Sequence, residues 1–293
     1  MLSAKKSRSP KRIEPPDNPL LSRPGQQTLF SIVEERFDSP ALDLSYYLAP
    51  WDRPIFPGNT AAISRILIRN EAAAAGAFET FRVWCVHNRV VLVSCRLPQE
   101  RLVECGFLEA QGFRFMELNY RPSLVGLGGF FDDPEISIQP AAASDAAEIS
   151  GIAARIFDAG RLHVDPQVGP EIGNRRYAAW AANAFSHPAQ SVLKCLMDGR
   201  IVAFMVIEQP TPASRFWSLV GLAPGLTGQG LGRRVWQAVL AFHHREGVEE
   251  ISTSISSHNV AVHNLYVSLG FRFPAPTITL HWCPFGPVKA SVT

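Results

Sequence analysis

The sequence predicts an α/β protein built from two successive units, and three observations favour this fold class. Short apolar runs typical of strands alternate with helical stretches along most of the chain. The string Gly-Phe-Arg-Phe occurs twice, at 112–115 and at 270–273, each time after a predicted helix and at the start of a predicted strand. A glycine-rich passage at 123–133 separates the two halves.

The composition is that of a globular protein with substantial cores. The 293 residues are 46% hydrophobic, and this length suits about two domains. No apolar run approaches the length of a membrane span. The formal charge is only +2, and the basic excess lies in the leader at 1–28, so the body has no basic face for nucleic acid.

The five cysteines are widely spaced and include no CxxC pair. Such a set predicts neither a disulfide framework nor a metal site, and it favours a reducing, cytoplasmic setting. We therefore expect a cytoplasmic protein without a metal and without a nucleic-acid or membrane partner. A homodimer is compatible with the sequence.

The chain divides into four parts on composition and pattern. The leader at 1–28 is rich in Ser, Pro and basic residues and is predicted to be disordered. A first α/β unit follows at 29–122, then a linker at 123–134 and a second unit at 135–293. Within the first unit, strands are predicted at 61–68, 89–97 and 113–120, and helices at 71–88 and 99–111.

The second unit continues the alternation of strands and helices. Predicted strands lie at 136–141, 191–198, 200–209, 215–224 and 249–256, and predicted helices lie at 144–157, 170–185, 231–242 and 258–269. The strands on either side of Gly199 are expected to form a hairpin.

The most informative stretch is a glycine turn between a predicted strand and a predicted helix. Gly228, Gly230 and Gly232 come at the start of a helix with a regular apolar stripe. Glycines at such a turn let successive backbone amides converge on an anion at the positive end of the helix dipole. The spacing is neither that of a Walker loop nor that of a dinucleotide-binding loop. The turn therefore predicts a diphosphate site, with a tight turn that binds nothing as the alternative.

The order of motifs after this turn resembles the GNAT superfamily of N-acetyltransferases. A predicted strand at 249–256 is followed by Asn259, by Leu265-Tyr266 and by Gly270-Phe271. The resemblance covers about residues 135–293 and implies a GNAT fold, with a mixed, mostly antiparallel central sheet and flanking helices. The smaller unit before it would be a GNAT-like α/β unit. Thr227 stands where the family usually has Arg or Gln at the start of the turn.

The resemblance implies acetyl-CoA as cosubstrate, a small-molecule amine as acceptor, and a set of residues for the cofactor. Pantetheine would pair with the backbone of Val220 and Leu222 and would be hydrogen-bonded by Asn259. The diphosphate would lie on the turn formed by Thr227, Gly228, Gln229, Gly230, Leu231 and Gly232.

Tyr266 is the predicted proton donor to the departing thiolate, since the pKa of a phenol lies above that of a thiol. A tyrosine that is merely packed in the core is the alternative. The attacking amine must lose a proton, and Glu208 is a candidate base, although a water chain would serve as readily.

The two-part layout is also similar to that of the dTDP-fucosamine acetyltransferases, which acetylate the amine of a nucleotide-linked sugar. This similarity and the chemistry of the side chains indicate five candidate substrate residues, namely Arg161, His163, Asp165, Trp180 and Asn183. Cationic side chains suit a phosphate and aromatic rings suit a sugar or base. Packing of Trp180 against the sheet is the alternative. Other acceptors, a protein or small-metabolite amine, stay open, and so does a non-catalytic binding module.

The two Gly-Phe-Arg-Phe copies differ in the residues around them. Tyr266 lies four residues before Gly270, whereas Leu108 lies four residues before Gly112. The first unit also lacks a glycine turn before its helix. We therefore expect the first unit to share the fold without the chemistry, with chance recurrence of four residues as the alternative.

Overall fold

The computed structural model describes residues 32–288, so the predicted disordered leader at 1–28 lies outside the described residues. The described chain forms two mixed β-sheets with helices packed against them, which confirms the predicted α/β class. Among the helices between residues 32 and 288, none combines the length and the apolar character needed to cross a bilayer.

The first half of the chain supplies six strands and two α-helices among the described residues. The elements are β1 Glu35–Asp38, β2 Leu42–Leu48, a 3-10 helix Pro50–Asp52, β3 Asn59–Ile68, α1 Glu71–His87, β4 Val90–Pro98, α2 Leu102–Ala110, β5 Arg114–Tyr120 and β6 Ser123–Val125.

The second half of the chain continues with the remaining strands and helices. They are β7 Ser137–Pro140, a 3-10 helix Ala143–Asp145, α3 Ala146–Ile156, α4 Arg161–Val164, α5 Pro170–Ala184, β8 Gln190–Met197, β9 Arg200–Thr211, β10 Ser214–Leu222, α6 Leu231–Arg245, β11 Glu250–Thr253, β12 Ile255–Ser256, α7 Val260–Ser268 and β13 Thr277–Trp282.

The predicted elements agree with the structure to within a few residues, with four differences. The strand expected to begin at the second Gly-Phe-Arg-Phe begins only at Thr277, because Pro274 and Pro276 lack the amide that a strand ladder needs, and Arg272 forms an isolated bridge to Ser123. Strands β1 and β2 and helix α4 were not predicted.

Residues 123–125 form strand β6, although we expected a linker there. Helix α2 begins later than predicted because the chain first makes a turn, closed by the amide of Arg101 and the carbonyl of Pro98. The predicted strand at 249–256 is divided at Ser254 into β11 and β12, which pair with different sheets.

The order of the strands shows that each sheet contains a strand from the other half of the chain. The first sheet has the order β1-β2-β3-β4-β13-β5-β12, and the second has the order β6-β11-β10-β9-β8-β7. Strand β13 therefore lies between β4 and β5, antiparallel to both. Strand β6 pairs with β11 at the edge of the second sheet. The two units inferred from the sequence are thus continuous along the chain, whereas each sheet also contains at least one strand from the other half of the chain.

Two large apolar clusters hold the sheets and helices together. One lies under α1 and the strands of the first sheet, and it includes Leu280 from β13 and Phe78 from α1, both fully buried. The other lies between α6, α7 and the second sheet, and Trp217 and Tyr266 are its largest fully buried side chains. The exchanged strand β13 therefore contributes to the core of the first unit.

We expect Leu280→Ala to lower the free energy of unfolding by about 2–5 kcal/mol, the usual cost of removing a fully buried leucine side chain. Urea titration followed by circular dichroism and by tryptophan fluorescence measures this change. Because β13 connects the two halves, both signals should shift together. Val83→Ala is the matched control, since Val83 is 66% exposed on α1. Two separate transitions, with only one of them shifted, would contradict the shared-strand architecture.

Candidate active site

A V-shaped gap opens in the second sheet between β10 and the chain that leaves β11. The two strands are parallel neighbours from Ser214 beside Glu250 up to Trp217 beside Thr253. Beyond that pair, the chain continues into β12, which pairs with β5 of the first sheet. Strand β10 runs on alone along this side of the gap.

The backbone of β10 beyond this point faces the gap at alternate residues. The amide of Ala223 donates to the carbonyl of Val202 on β9. Antiparallel pairing alternates, so Leu219 and Gly221 also face β9. The amides and carbonyls of Val220 and Leu222 therefore face the gap, where an extended amide-containing arm can pair with them.

The glycine turn ends this side of the gap and begins helix α6. Gly228 and Gly230 have φ angles of +79° and +76°, a region in which glycine is favoured. No hydrogen bond between residues 32 and 288 uses the backbone amides of 228–232. The side chain of Gln229 donates to the carbonyl of Gly225 and so stabilises the turn. Free amides at the positive end of a helix form an anion site.

Tyr266 lies at the vertex of the gap, on α7, with no exposed surface to bulk solvent. Its ring packs against Trp217 and Phe271, and its hydroxyl has no hydrogen-bond partner of ordinary geometry among the described residues. Burial raises the pKa of Tyr266, and the nearby Trp236 and Thr253 lower the pKa by less. The phenol is therefore protonated at neutral pH, as a proton donor must be.

Asn259 has one part of its side chain already engaged. Its side-chain oxygen accepts a hydrogen bond of 3.2 Å from the amide of Val262 and caps the start of α7. Asn259 also lines the cavity described next. Its side-chain amino group and the second lone pair of that oxygen are therefore left to bond a ligand.

A cavity of about 210 Å³ extends from the vertex of the gap across the face of the first sheet. Its floor contains residues of six strands of that sheet, among them Asn119 on β5 and Arg96 on β4. Loop 157–160 and helices α4 and α5 cover it, with the ring of Tyr177 stacked on Phe157 at 4.3 Å. The cavity therefore lies between residues of the two units.

Arg161 lines this cavity and has an unusual partner. Its guanidinium lies 2.7 Å from Nε2 of His281, whose Nδ1 lies 2.8 Å from Asp165. Burial lowers the pKa of His281, so its neutral ring donates to Asp165 and accepts from Arg161. Between residues 32 and 288, Arg161 forms no ion pair with a carboxylate. Burial, followed by the charges of Arg176 and Arg96, lowers the pKa of Arg161 to about 10.

Two further cations in the cavity are paired with carboxylates. Arg176 donates to Asp52 at 2.8 Å, and the other oxygen of Asp52 accepts from Thr60. Arg96 donates to Glu117 at 3.2 Å. Both carboxylate side chains are at most 5% exposed. Arg161 is thus the cavity's cation without a negative partner.

The structure places the five predicted substrate residues in different surroundings. Arg161 and Trp180 line the main cavity. His163 contacts Asn174 and stacks on Tyr177, and it does not line the cavity. Asp165 lies behind His281.

Asn183 lines a separate small cavity beside Trp51. Glu208, the candidate base, does not line the main cavity and instead accepts from Gln190. Neither residue is therefore placed by the structure beside Tyr266.

Several cavity residues were missed by the sequence reasoning, and most come from the first unit. They are Tyr47, Arg96, Glu117, Asn119 and Arg176. A signal did exist, since Arg96 and Glu117 are charged residues within predicted strands that are mostly apolar. Their convergence depends on β13, which lies between their strands and so could not be deduced from spacing.

The first unit contains a counterpart of the gap. Ile63 is the last residue of β3 paired with β4, as Trp217 is the last of β10 paired with β11. Six residues further on, Arg69 donates its amide to Ala41 on the neighbouring side, as Ala223 does to Val202. The counterparts of Val220 and Leu222 are Ile66 and Ile68.

In the first unit, the chain's own side chains fill this position. Arg101 donates to the carbonyl of Ile66 at 3.2 Å, and Glu104 accepts from the amide of Ile68 at 3.4 Å. Helix α1 begins two residues after Arg69, so no loop is present that would correspond to the glycine turn. An ion pair therefore occupies the backbone positions that face the open gap in the second unit.

Comparison with known proteins agrees with this geometry. Residues 161–271 match the profile of the acetyltransferase (GNAT) family. A GCN5-related N-acetyltransferase from Sphaerobacter thermophilus superposes with a TM-score of 0.60 at 12% identity, over 87% of this chain and 84% of that one. One from Kribbella flavida gives 0.54 at 15% identity, over 88% and 91%.

A tandem GNAT protein from the clavulanic acid biosynthesis pathway also matches, with a TM-score of 0.53 at 14% identity over 86% of each chain. The comparison with curated proteins gave no match. The chain has the GNAT fold, with a second GNAT-like unit, as predicted. Residues 161–271 are thus similar to the acetyltransferase (GNAT) family, and the structural neighbours share the fold of the chain.

We expect the chain to bind one acetyl-CoA, because the first unit's gap is filled, and we expect Gly230→Val to weaken that binding at least ~10-fold. A branched side chain at a positive φ angle strains the turn and covers its amides. Calorimetry gives both the affinity and the stoichiometry. Gly76→Val on α1 is the control, since space around Gly76 is open. Unchanged affinity in a folded Gly230→Val protein, or two cofactors per chain, would overturn this assignment.

Proposed function

We propose that the protein is an acetyl-CoA-dependent N-acetyltransferase whose acceptor is a primary amine that also carries an anionic group. The observation that supports this most is the arrangement along one path. The free amides of 228–232 lie at one end, the unpartnered hydroxyl of Tyr266 lies in the middle, and the unpaired cation of Arg161 lies in the cavity beyond.

The cofactor site follows from the backbone of the second unit. The diphosphate of acetyl-CoA would rest on the amides of 228–232, and its pantetheine arm would pair with Val220 and Leu222 in the gap. The side-chain amino group of Asn259 is available to the same arm. Thr227 is part of the turn, but its side chain is shorter than the Arg or Gln usual at this position in the family.

The reaction then needs one proton acceptor and one proton donor. The neutral amine attacks the thioester carbonyl, a carbon–nitrogen bond forms, and the nitrogen passes its extra proton to water, from which Tyr266 is reprotonated after each turnover. The carbon–sulfur bond breaks as the sulfur leaves with the electron pair. Tyr266 gives its proton to that thiolate. The hydroxyl of Tyr266 has no partner among the described residues, and Tyr266 lines the cavity, which favours this role over a purely packed tyrosine and over a non-catalytic binding module.

The acceptor class rests on Arg161 and on the cavity. Burying a guanidinium without a carboxylate partner costs desolvation free energy, unless an anionic ligand forms an ion pair with it. The resemblance to dTDP-fucosamine acetyltransferases supports a nucleotide-linked amino sugar, whose phosphate is such an anion. The volume of the cavity, by contrast, favours a more compact amine, because about 210 Å³ lies below the ~300–1,000 Å³ of pockets for drug-sized ligands. The covered cavity also favours a small molecule over a protein substrate.

The proposed setting is the cytoplasm, where acetyl-CoA is consumed by such enzymes under reducing conditions. All five cysteines are unpaired, which supports a reducing compartment.

We expect Tyr266→Phe to bind acetyl-CoA normally and to lower turnover by about 10²–10⁴-fold, because it removes the proton donor while keeping the ring. Release of free CoA measures turnover, and calorimetry measures binding. Tyr120→Phe is the control, since Tyr120 is partly buried against α7 but does not line the cavity. Wild-type turnover in Tyr266→Phe would mean that another group protonates the thiolate.

We expect Arg161→Met to raise the acceptor's KM by about 10–100-fold, the usual effect of losing a charge-assisted hydrogen bond, with little change in the KM of acetyl-CoA. Steady-state kinetics with nucleotide-linked and free amino sugars and with small amino acids would measure both constants. Arg155→Met is the control because Arg155 is an exposed α3 residue. Equal KM values for charged and uncharged acceptors in the wild type would remove the anionic-acceptor proposal.

A further inference from the structure

The floor of the cavity contains a row of three polar residues that crosses three strands. Thr279 on β13 is the register partner of Arg96 on β4 and of Glu117 on β5. Arg96 donates to Thr279 at 3.0 Å and to Glu117 at 3.2 Å. Glu117 is thereby held in place on the sheet, with its carboxylate on the cavity face.

A second polar position lies two residues further along β13. His281 has the same side-chain direction as Thr279, because successive side chains of a strand alternate. The guanidinium of Arg161 rests on His281. Two residues of a strand span on the order of 7 Å, so Thr279, which lies beside Glu117, and His281, which contacts Arg161, are spaced by about that distance along β13.

Glu117 is also the buried carboxylate at the end of the cavity closer to Tyr266, where the thioester of acetyl-CoA would lie. Asn119 lies two residues from Glu117 on the same face of β5 and accepts from the hydroxyl of Ser254 at 2.9 Å. Ser254 directly follows Thr253 at the vertex of the gap, where Tyr266 lies. The other buried carboxylate, Asp52, is fully engaged by Arg176 and Thr60.

We propose that the acceptor is a compact molecule with a primary amine and an anionic group about 7 Å apart, with its ammonium at Glu117 and its anion at Arg161. This inference rests on the proposed function and narrows its substrate class. A carboxylate has lone pairs for an ammonium as well as for Arg96, and the guanidinium of Arg161 has donors left beyond its bond to His281. An ω-amino acid and an amino sugar phosphate share this chemistry.

The spacing makes a prediction about acceptor length that needs no variant. In glycine the amine and the carboxylate share one carbon atom, so glycine cannot reach both Glu117 and Arg161. In 6-aminohexanoate the two groups lie at the ends of a chain long enough to span the row. With the full-length protein and saturating acetyl-CoA, we expect kcat/KM for 6-aminohexanoate to exceed that for glycine by about 10²-fold, with 4-aminobutanoate between them. Glucosamine 6-phosphate tests whether a phosphate replaces the carboxylate, and a nucleotide-linked amino sugar tests a larger acceptor.

Two ligands that each carry only one of the two charged groups distinguish the role of Arg161 from that of Glu117. Hexanoate should compete with the acceptor and should lose affinity about 10-fold in Arg161→Met but not in Glu117→Gln. Hexylamine should show the reverse dependence. Glu117→Gln leaves Arg96 without its negative partner, so its fold is checked by circular dichroism. Asp158→Asn changes an exposed carboxylate of the cavity-lining loop and is the matched comparison.

The outcomes distinguish this inference from the function on which it rests. Acetyl transfer with equal kcat/KM along the length series, or a hexylamine dependence on Asp158 in place of Glu117, would overturn the inference and leave the acetyltransferase proposal standing. Calorimetric binding of 6-aminohexanoate that depends on both residues, without any acetyl transfer, would support the site and remove the proposed function.

Discussion

The reciprocal exchange of strands is the constraint on which the rest of the structure depends. Strand β13 has hydrogen-bonded neighbours on both sides in the first sheet, and β6 extends the second sheet. Removing β13 would leave two ladders of buried backbone groups unpaired, at a cost that no side-chain contact would recover. The exchange therefore fixes one unit against the other. It also places Thr279 and His281, from the end of the chain, among residues of the first half.

The two units show how one fold can keep or lose a cofactor cleft with few changes. In the second unit the strands separate beyond Trp217 and the backbone of β10 faces an open gap. In the first unit the corresponding carbonyl and amide are bonded to Arg101 and Glu104. In the first unit, side chains of the protein bond these backbone groups. In the second unit, we propose that pantetheine bonds them. Strands of the first unit instead form the floor of the cavity.

The buried charges of that floor are unfavourable for folding unless each finds a partner. Ion pairs with good geometry offset the desolvation of Arg96 and Arg176. Arg161 has only a neutral histidine as its partner, held in its tautomer by Asp165, and burial together with the neighbouring cations lowers the pKa of Arg161. The missing negative partner of Arg161 therefore costs folding stability, which an anionic ligand bound at Arg161 would restore. This is the pattern expected of a binding site and not of a core.

The sequence by itself predicted most of the helices and strands in their order, the glycine turn, and Tyr266 with Leu108 at the corresponding position of the first unit, because these depend on local periodicity and short motifs. It also indicated Arg161 as a candidate substrate residue. Only the tertiary structure decided that β13 crosses into the first sheet, that Glu117 and Arg96 line the cavity, and that His163 and Asn183 lie outside it. The physical reason is that strand neighbours are selected by hydrogen bonding between segments that are distant in the chain, and no local pattern records which segments will meet.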